Sequence, residues 1–447
     1  MRTLVMKFGG TSVGSAAHIR EVASIVRSRE GSRCVVLVSA MAGITNTLFE
    51  MAEAARSHDL DRAIRLLGKI EQSHLEASHE LDIATPDIIG KIREIIENLR
   101  RRIHGIDLLG EFSLRVMDEI AAAGERLSSL LVSEYIKCPL LDARKVIRTD
   151  NHFGNAHPKL PVIKRNAALY LEPLLESSDI IVTQGYIGSD DADDTTTLGR
   201  GGSDYSAGLL ALALQADEIE IWTDVEGIMT ADPRIVPSAR TVDILSYEEA
   251  VELASYGAKV LHPATVRPAL EAGIPVTIRS TFAPYGKFST ISPGESSGRP
   301  CVAIAMRRQV MIISVIQESM TDQAGFLAKL FDIFGRLGVS VDLVSTSEIC
   351  VSVSLDKRLL FEDLLKNLEE LGQVSVADNR AVIAIVGDLL RKTPEVLRTT
   401  FIAMDGIPID LISMGANGIN LSLIVQEADA EKAIRGLHTA FFEGGSR

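Results

Sequence analysis

Cysteine is scarce in this chain, with four in 447 residues and no CxxC pair. That scatter excludes a zinc ribbon and a disulfide-stapled fold. Cys34, Cys138 and Cys350 stand in or beside apolar runs and read as core fillers; Cys301 is the fourth. Net positive charge is missing too. Asp and Glu number 60 against 46 Lys and Arg, a balance of -14. This argues against nucleic acid or an anionic membrane as partner for the whole chain, though not against a local basic pocket for a phosphorylated ligand. No apolar run approaches the roughly 20 residues of a membrane helix. The N-terminus reads as a strand, not a signal peptide, so a cytoplasmic location is expected. A calcium loop is absent, because the acidic run at 190–194 lacks the EF-hand glycine and terminal glutamate; a solvated hairpin tip is expected there. A Walker A motif is absent as well. Gly9 and Gly14 have its spacing, but Ser15 stands where it needs lysine.

What is present is the make-up of an ordinary globular protein, 46% hydrophobic and 24% charged. The length implies two or three domains. Strands and helices alternate through the first two-thirds, which predicts a parallel α/β sheet covered on both faces. Residues 33–39 form a continuous apolar run, as for a buried strand, and 47–131 carry helical spacing, with Pro86 starting a new helix after Thr85. Further helices are expected at 203–215, 246–254 and 263–272. Gly, Ser and Pro cluster between Pro284 and Pro300, which marks a boundary. Beyond it the pattern becomes strand-helix-strand-strand-helix, twice over. Short strands are expected at 310–315 and 382–386, and Asp342-Leu343-Val344-Ser345 matches Asp410-Leu411-Ile412-Ser413 in the two halves.

Three segments carry chemistry. Lys7-Phe8-Gly9-Gly10-Thr11-Ser12-Val13-Gly14 follows the first apolar run and precedes a helix over 16–29. Glycines let backbone N–H groups approach an anion, and the helix N-terminus adds its positive end. A tight turn with a snorkelling lysine is the structural alternative. Gly199-Arg200-Gly201-Gly202-Ser203-Asp204 opens another helix; Arg200 offers a planar fork for a carboxylate. Asp204 could instead serve only the helix dipole. Trp222-Thr223-Asp224-Val225-Glu226-Gly227-Ile228 leaves a strand at its C-terminal end, where ligands bind in open α/β sheets. Gly257-Ala258-Lys259-Val260-Leu261-His262-Pro263 supplies a further lysine, with His262 read as structural.

Together with Val38-Ser39-Ala40-Met41-Ala42-Gly43-Ile44-Thr45-Asn46, Gly124-Glu125 and Thr183-Gln184-Gly185-Tyr186-Ile187-Gly188, these stretches resemble the amino-acid kinase family and, within it, the aspartate kinases. The last third resembles paired ACT modules. The resemblance implies an αβα-sandwich catalytic domain over 1–290, a first ferredoxin-like ACT domain over 300–380 and a second over 381–447, the last sharing the strand near 300–309. It implies a monofunctional enzyme, with no room for a fused homoserine dehydrogenase. The implied reaction is ATP-dependent phosphorylation of the aspartate side-chain carboxylate, with Mg²⁺ carried by ATP. It would be the committed step toward lysine, threonine and methionine. Lys7 and Asp204 match catalytic positions. Ser39, Thr45, Glu125 and Arg200 match substrate contacts. Gly9, Gly10, Ser12, Thr223, Asp224, Arg234 and Lys259 match the ATP side, together with Lys7. Met229 stands where many relatives have tyrosine.

The ACT resemblance also implies feedback by lysine, bound by Met320, Gly325, Phe326, Leu327, Asp342, Thr346, Ser347 and Glu348. Two carboxylates suit a diamino acid better than threonine. The second module has Gly415-Ala416-Asn417-Gly418 in the corresponding place and is expected to scaffold. A homodimer or higher assembly through the ACT modules is expected. The rival readings are a kinase of the same fold acting on glutamate, carbamate or a nucleotide, and an amino-acid sensor without catalysis.

Overall fold

The computed structural model describes residues 1–257, 268, 272–292, 297–317, 325–359, 362–415 and 418–444. The expected helix at 263–272, Lys259 and Met320 lie outside the described residues or largely so. The chain divides into two compact units, Met1–Ile228 with Val260–Glu295, and Met229–Lys259 with Ser296–Arg447.

The first unit opens with β1 (Arg2–Phe8), α1 (Ala16–Arg27) and β2 (Ser32–Val38). Four long helices follow: α2 (Ile44–Arg56), α3 (Leu60–Glu80), α4 (Pro86–Leu109) and α5 (Leu114–Ile136). Their starts are written locally. The side chains of Asp59, Thr85 and Ser113 accept first-turn N–H groups, and Pro86 sits where no N–H is needed. Next come β3 (Leu140–Leu141), α6 (Leu160–Asn166), α7 (Glu172–Ser177), β4 (Ile180–Gln184), β5 (Ile187–Ser189), β6 (Thr195–Thr197), α8 (Gly202–Leu214) and β7 (Glu218–Thr223). The chain then passes through the second unit with β8 (Ile244–Leu245) and α9 (Tyr247–Ser255) before β9 (Val276–Ser280) and β10 (Ser289–Ile291).

Seven strands of the first unit form one sheet in the order β3-β4-β2-β1-β7-β9-β10, parallel except for β10. β1 lies at the centre, with Lys7 level with Leu37 on β2 and Ile221 on β7. Parallel strands place every C-terminal end on one edge, so the loops after β1, β2, β4 and β7 gather there. The core joins Met6, Phe8, Val36 and Val38 to apolar faces of α1 to α5. Residues 187–197 form the β5–β6 hairpin. The acidic run forms its tip, where Asp191, Asp193 and Asp194 pair with Lys159, Arg148 and Arg115.

In the second unit, β11 (Ala303–Ile316), α10 (Phe326–Arg336), β12 (Leu343–Thr346), β13 (Cys350–Asp356), α11 (Glu362–Glu369), β14 (Gln373–Val386), α12 (Glu395–Ala403), β15 (Leu411–Met414), β16 (Asn420–Gln426) and α13 (Ala430–His438) follow in turn. The antiparallel sheet runs β12-β13-β11-β14-β16-β15. β11 and β14 are each 14 residues long, not the short strands expected from the apolar pattern. Polar residues near Arg307–Gln309 and Asp378–Arg380 interrupt that pattern. The backbone passes them with a shift of register and positive φ at Gln309 (58°) and Asn379 (54°).

Each long strand therefore serves two cores. Met311, Ile313 and Val315 pack with Phe326, Leu330 and Phe334, whereas Cys301 and Ile304 pack with Ile383, Ile385, Leu423 and Ile434. Ala231, Ile235 and Val236 join the second core, so a segment from the middle of the sequence completes it.

Candidate functional site

The crevice at the C-terminal edge of the first unit's sheet is a cleft of about 610 Å³. Lys7, at the end of β1, reaches into it and pairs with Asp204 of α8, Nζ to Oδ1 at 2.5 Å. Both side chains are only 12–13% exposed. The pair thus sits in a medium where charge is felt strongly. Gly9 N–H donates to the Trp222 carbonyl at 3.1 Å, which ties the loop after β1 to β7. At Gly10 a Cβ would lie 2.7 Å from the Ala40 carbonyl oxygen, so only glycine lets the first two loops meet. Ser12 lies in the turn that follows Gly10. Its hydroxyl is buried, 2.7 Å from that of Thr281, and it does not line the cleft.

Two helix N-termini open onto the cleft. α2 begins at Gly43 (φ 81°) and α8 at Gly201 (φ 74°), and Thr45, Asn46, Gly202 and Ser203 of their first turns line the wall. First-turn N–H groups lack intrahelical partners, and they converge here with the positive dipole ends. Anions are the natural occupants. Ser39 links the two helical mouths. Its N–H donates to the Phe8 carbonyl at 3.1 Å, its hydroxyl bonds that of Ser203 at 3.1 Å, and its carbonyl accepts from Ser128 at 2.7 Å.

Two further charges face the same space. Arg200 lies exposed on the cleft wall and makes no ion pair among the described residues. Glu125 projects from α5, buried at 3% exposure, with Oε2 unpartnered. Burial pushes its carboxyl up to about 8, only partly opposed by the Ala40 N–H. A buried acid with an open oxygen is a receptor for a cation.

Tyr186 was not singled out among the site residues. It lines the cleft beside Gly199–Asp204, with φ of 70° and a phenol pushed up to about 12 by burial. Its sequence signals are its place just past the end of β4 and within the Thr183–Gly188 stretch that carries the resemblance. Positive φ in a bulky residue costs energy and concentrates at sites.

Thr223 ends β7 and Asp224 follows it; the Thr223 hydroxyl donates to Asp224 Oδ1 at 3.1 Å, and neither lines the cleft. Arg234 belongs to the second unit, exposed and paired with Asp232 at 2.6 Å.

The residues expected to hold an effector occupy the first module of the second unit. Gly325 (φ 90°) opens α10, Phe326 is buried in the module core and Leu327 is 43% exposed. Thr346 ends β12, Ser347 N–H donates to the Cys350 carbonyl at 2.8 Å, and Glu348 is exposed in that turn. Asp342 is paired with Arg307. At the matching place in the second module, Asp410 pairs with Arg380 at 2.6 Å.

Residues 2–280 match the model of the amino acid kinase family, and 383–441 that of the ACT domain. The chain is 38% identical to the lysine-sensitive aspartokinase 3 of Escherichia coli, over 98% of this chain and 99% of that one. It is 35% identical to the chloroplastic aspartokinase 2 of Arabidopsis thaliana, over 99% of this chain and 84% of that one. Among solved structures, Escherichia coli aspartokinase III with aspartate and ADP superposes with a TM-score of 0.87 at 36% identity, covering 98% of this chain and 100% of that one. The same enzyme with lysine and aspartate gives 0.82 at 37% identity, covering 98% and 99%. With the αβα cleft unit, the ACT-type sheet and full-length relatives all agreeing, the chain belongs to the amino acid kinase family and, within it, to the aspartokinases.

Proposed function

We propose that this chain transfers the γ-phosphoryl group of ATP to the side-chain carboxylate of L-aspartate, giving 4-phospho-L-aspartate. The observation that carries the reading is the charge layout of one cleft. A lysine–carboxylate pair, Lys7 with Asp204, faces it, and a guanidinium with no ion pair among the described residues and a buried, open carboxylate stand on its walls. Arg200 suits the α-carboxylate of an amino acid and Glu125 its ammonium, which leaves the side-chain carboxylate to react. The aspartate- and ADP-bound structure of the Escherichia coli relative supports this choice.

An aspartate carboxylate is ionised at neutral pH and needs no general base. Its oxygen forms a bond to the γ-phosphorus as the bond to the ADP oxygen breaks. What remains for the protein is positioning and charge neutralisation. Lys7 and the two helix mouths, at Thr45–Asn46 and Gly202–Ser203, are placed to neutralise the moving phosphoryl oxygens. Asp204 holds the Lys7 ammonium in place. Gly9, Gly10, Ser12, Thr223 and Asp224 shape the loops on the nucleotide side, with Arg234 and Lys259 assigned by resemblance. Among the described residues no group of three or more His, Cys, Asp or Glu is placed to hold a metal. The few cleft carboxylates fit Mg²⁺ held chiefly by phosphate oxygens and water, where it screens phosphate charge.

The second unit supplies regulation in this reading. Lysine, the ligand in one structure of the Escherichia coli relative, would lay its carboxylate at the start of α10 and its amino groups toward Asp342 and Glu348. Leu327, Phe331, Val344 and Ile349 of that module are exposed apolar residues, which suits a homodimer formed through it. Four unpaired cysteines suit the reducing cytoplasm. The product would feed lysine, threonine and methionine synthesis.

The test is hydroxylamine trapping of the acyl phosphate with ATP, Mg²⁺ and a panel of amino acids, with and without lysine. Hydroxamate from aspartate alone is expected. Signal only from glutamate, or none from any amino acid, refutes the reading. Light scattering that finds a monomer at micromolar concentration refutes the assembly.

A further inference from the structure

We propose that a small cavity bounded by α4, α5 and β6 is a binding site for a tetrahedral oxyanion of the phosphate class, held by Arg126. The site lies outside the aspartate cleft and does not depend on what that cleft phosphorylates.

The cavity holds about 130 Å³. Pockets for nucleotides and drug-sized ligands run to about 300–1,000 Å³, so only a small ion is accommodated. It shares no lining residue with the cleft. Four charged side chains line it: Arg102 from α4, Glu119 and Arg126 from α5, and Arg144 from the turn after β3. Three guanidiniums thus stand against one carboxylate, and two of them are already engaged. Arg102 pairs with Glu119 and donates to the Asn98 carbonyl at 3.1 Å. Arg144 pairs with Asp142 at 2.5 Å and donates to the Thr195 hydroxyl at 3.0 Å. The Arg126 guanidinium makes no hydrogen bond or ion pair among the described residues, although the residue is half-buried.

Burial and the nearby Arg144 push the Arg126 guanidinium below its ordinary value, and Asp142 and Glu94 only partly oppose them. A guanidinium does not give up its proton in a protein, so this charge stays in place, part-desolvated, until an anion meets it. Its five donors form a planar fork that matches two oxygens of a phosphate. Arg126 also lines a neighbouring cavity of about 210 Å³, but Glu94 and Asp142 stand in that wall. Their charge favours the smaller cavity for the ion.

Isothermal titration of inorganic phosphate into the full chain tests this, with aspartate and ADP present to fill the cleft and chloride at matched ionic strength as the control. The wild type should take up phosphate in a component that sulfate displaces. Arg126→Gln should weaken that component by about tenfold or more. Phosphate bound in the cleft would survive the substitution, so binding that is absent from the wild type or unchanged in the variant overturns the proposal. So does an Arg126-dependent uptake of acetate stronger than that of phosphate, which would make the site one for carboxylates. Thermal melts separate a ligand site from a structural arginine. In chloride alone Arg126→Gln should melt no lower than the wild type, because it removes a half-buried charge that has no partner. Phosphate should then raise the melting temperature of the wild type by more than that of the variant. A variant that melts lower in chloride and responds to phosphate as the wild type does identifies a structural role and overturns the proposal. Arg126→Lys keeps the charge without the fork and should bind phosphate with intermediate strength; it carries the same test if Arg126→Gln does not fold.

Discussion

Glu125→Gln should uncouple aspartate binding from pH. In the free protein, burial lifts the Glu125 carboxyl from its ordinary 4.5 to about 8. Near pH 7 only about a tenth of the molecules then carry the anion that a substrate ammonium needs. Binding must release a proton from the rest. From pH 6 to 8, kcat/KM for aspartate should therefore climb nearly tenfold for each pH step, bending over near 8. Glutamine cannot ionise, so the variant's profile should be flat in that range. A buried charge-assisted pair lost on one side costs roughly 2–5 kcal/mol. The deficit of the variant should thus be large at pH 8 and shrink about fiftyfold by pH 6, where the wild type is also almost wholly protonated. Stability should show the opposite sign. A carboxyl whose folded value is raised binds more protons folded than unfolded, so its contribution is fully present below 4.5 and is lost as pH rises toward 8. The loss is at most on the order of 5 kcal/mol. Glu125→Gln should remove this part of the pH dependence and be the more heat-resistant protein at pH 8. Steady-state kinetics and thermal melts across pH 6–8.5 check both halves. A wild-type kcat/KM that is level over that range, or a variant deficit independent of pH, refutes the reasoning.

Lys7→Ala should leave the fold intact and lower kcat by two orders of magnitude or more, since a preorganised transition-state charge is worth on the order of 3–4 kcal/mol; near-normal turnover removes the assignment. Arg200→Ala should raise the KM for aspartate with little change in that for ATP, and the reverse pattern would exchange their roles. Glu348→Ala should keep catalysis and lose inhibition in a lysine titration. Asp342→Ala should do the same. Because Asp342 is paired with Arg307, lysine must compete for that carboxylate, so Arg307→Ala should instead lower the lysine concentration needed. Unchanged inhibition in all three variants removes the effector assignment.

The first unit was largely legible because its signals are local. A buried strand followed by Lys7-Phe8-Gly9-Gly10, and a glycine cluster before α8, announce strand ends and helix mouths on their own. Glu125 was legible only through resemblance, since a glutamate in the middle of a long helix usually faces water. Asp118, buried on α5, was invisible, and Tyr186 stood only inside the Thr183–Gly188 stretch with no role of its own. The partners of Asp118 lie 36 and 79 residues away, and nothing in a short window encodes them. Ser12 was legible as part of the glycine loop, but the partner of its buried hydroxyl, Thr281, lies 269 residues away and no short window encodes it. In the second unit, Arg307 to Gln309 broke the apolar alternation and hid a continuous strand. Nor does the apolar character of Ala231, Ile235 and Val236 say which core they enter.

The shared strands have a consequence for how the chain is made. β14 pairs with β11 along nearly its whole length, the first half with Val310–Ile316 and the second with Ala303–Arg307. During synthesis the first module can close as soon as Gln373–Ala377 has emerged. Ala303–Arg307 gains its partner, Val382–Val386, only after that module has been built. At translation rates of about 5–20 residues per second, this stretch waits on the ribosome for several seconds with a bare strand edge. Arg307 and Arg308, at the end of that edge, are the kind of charge that discourages a stray strand from joining it. The two arginines that interrupted the sequence pattern thus stand where a growing chain most needs protection from its neighbours.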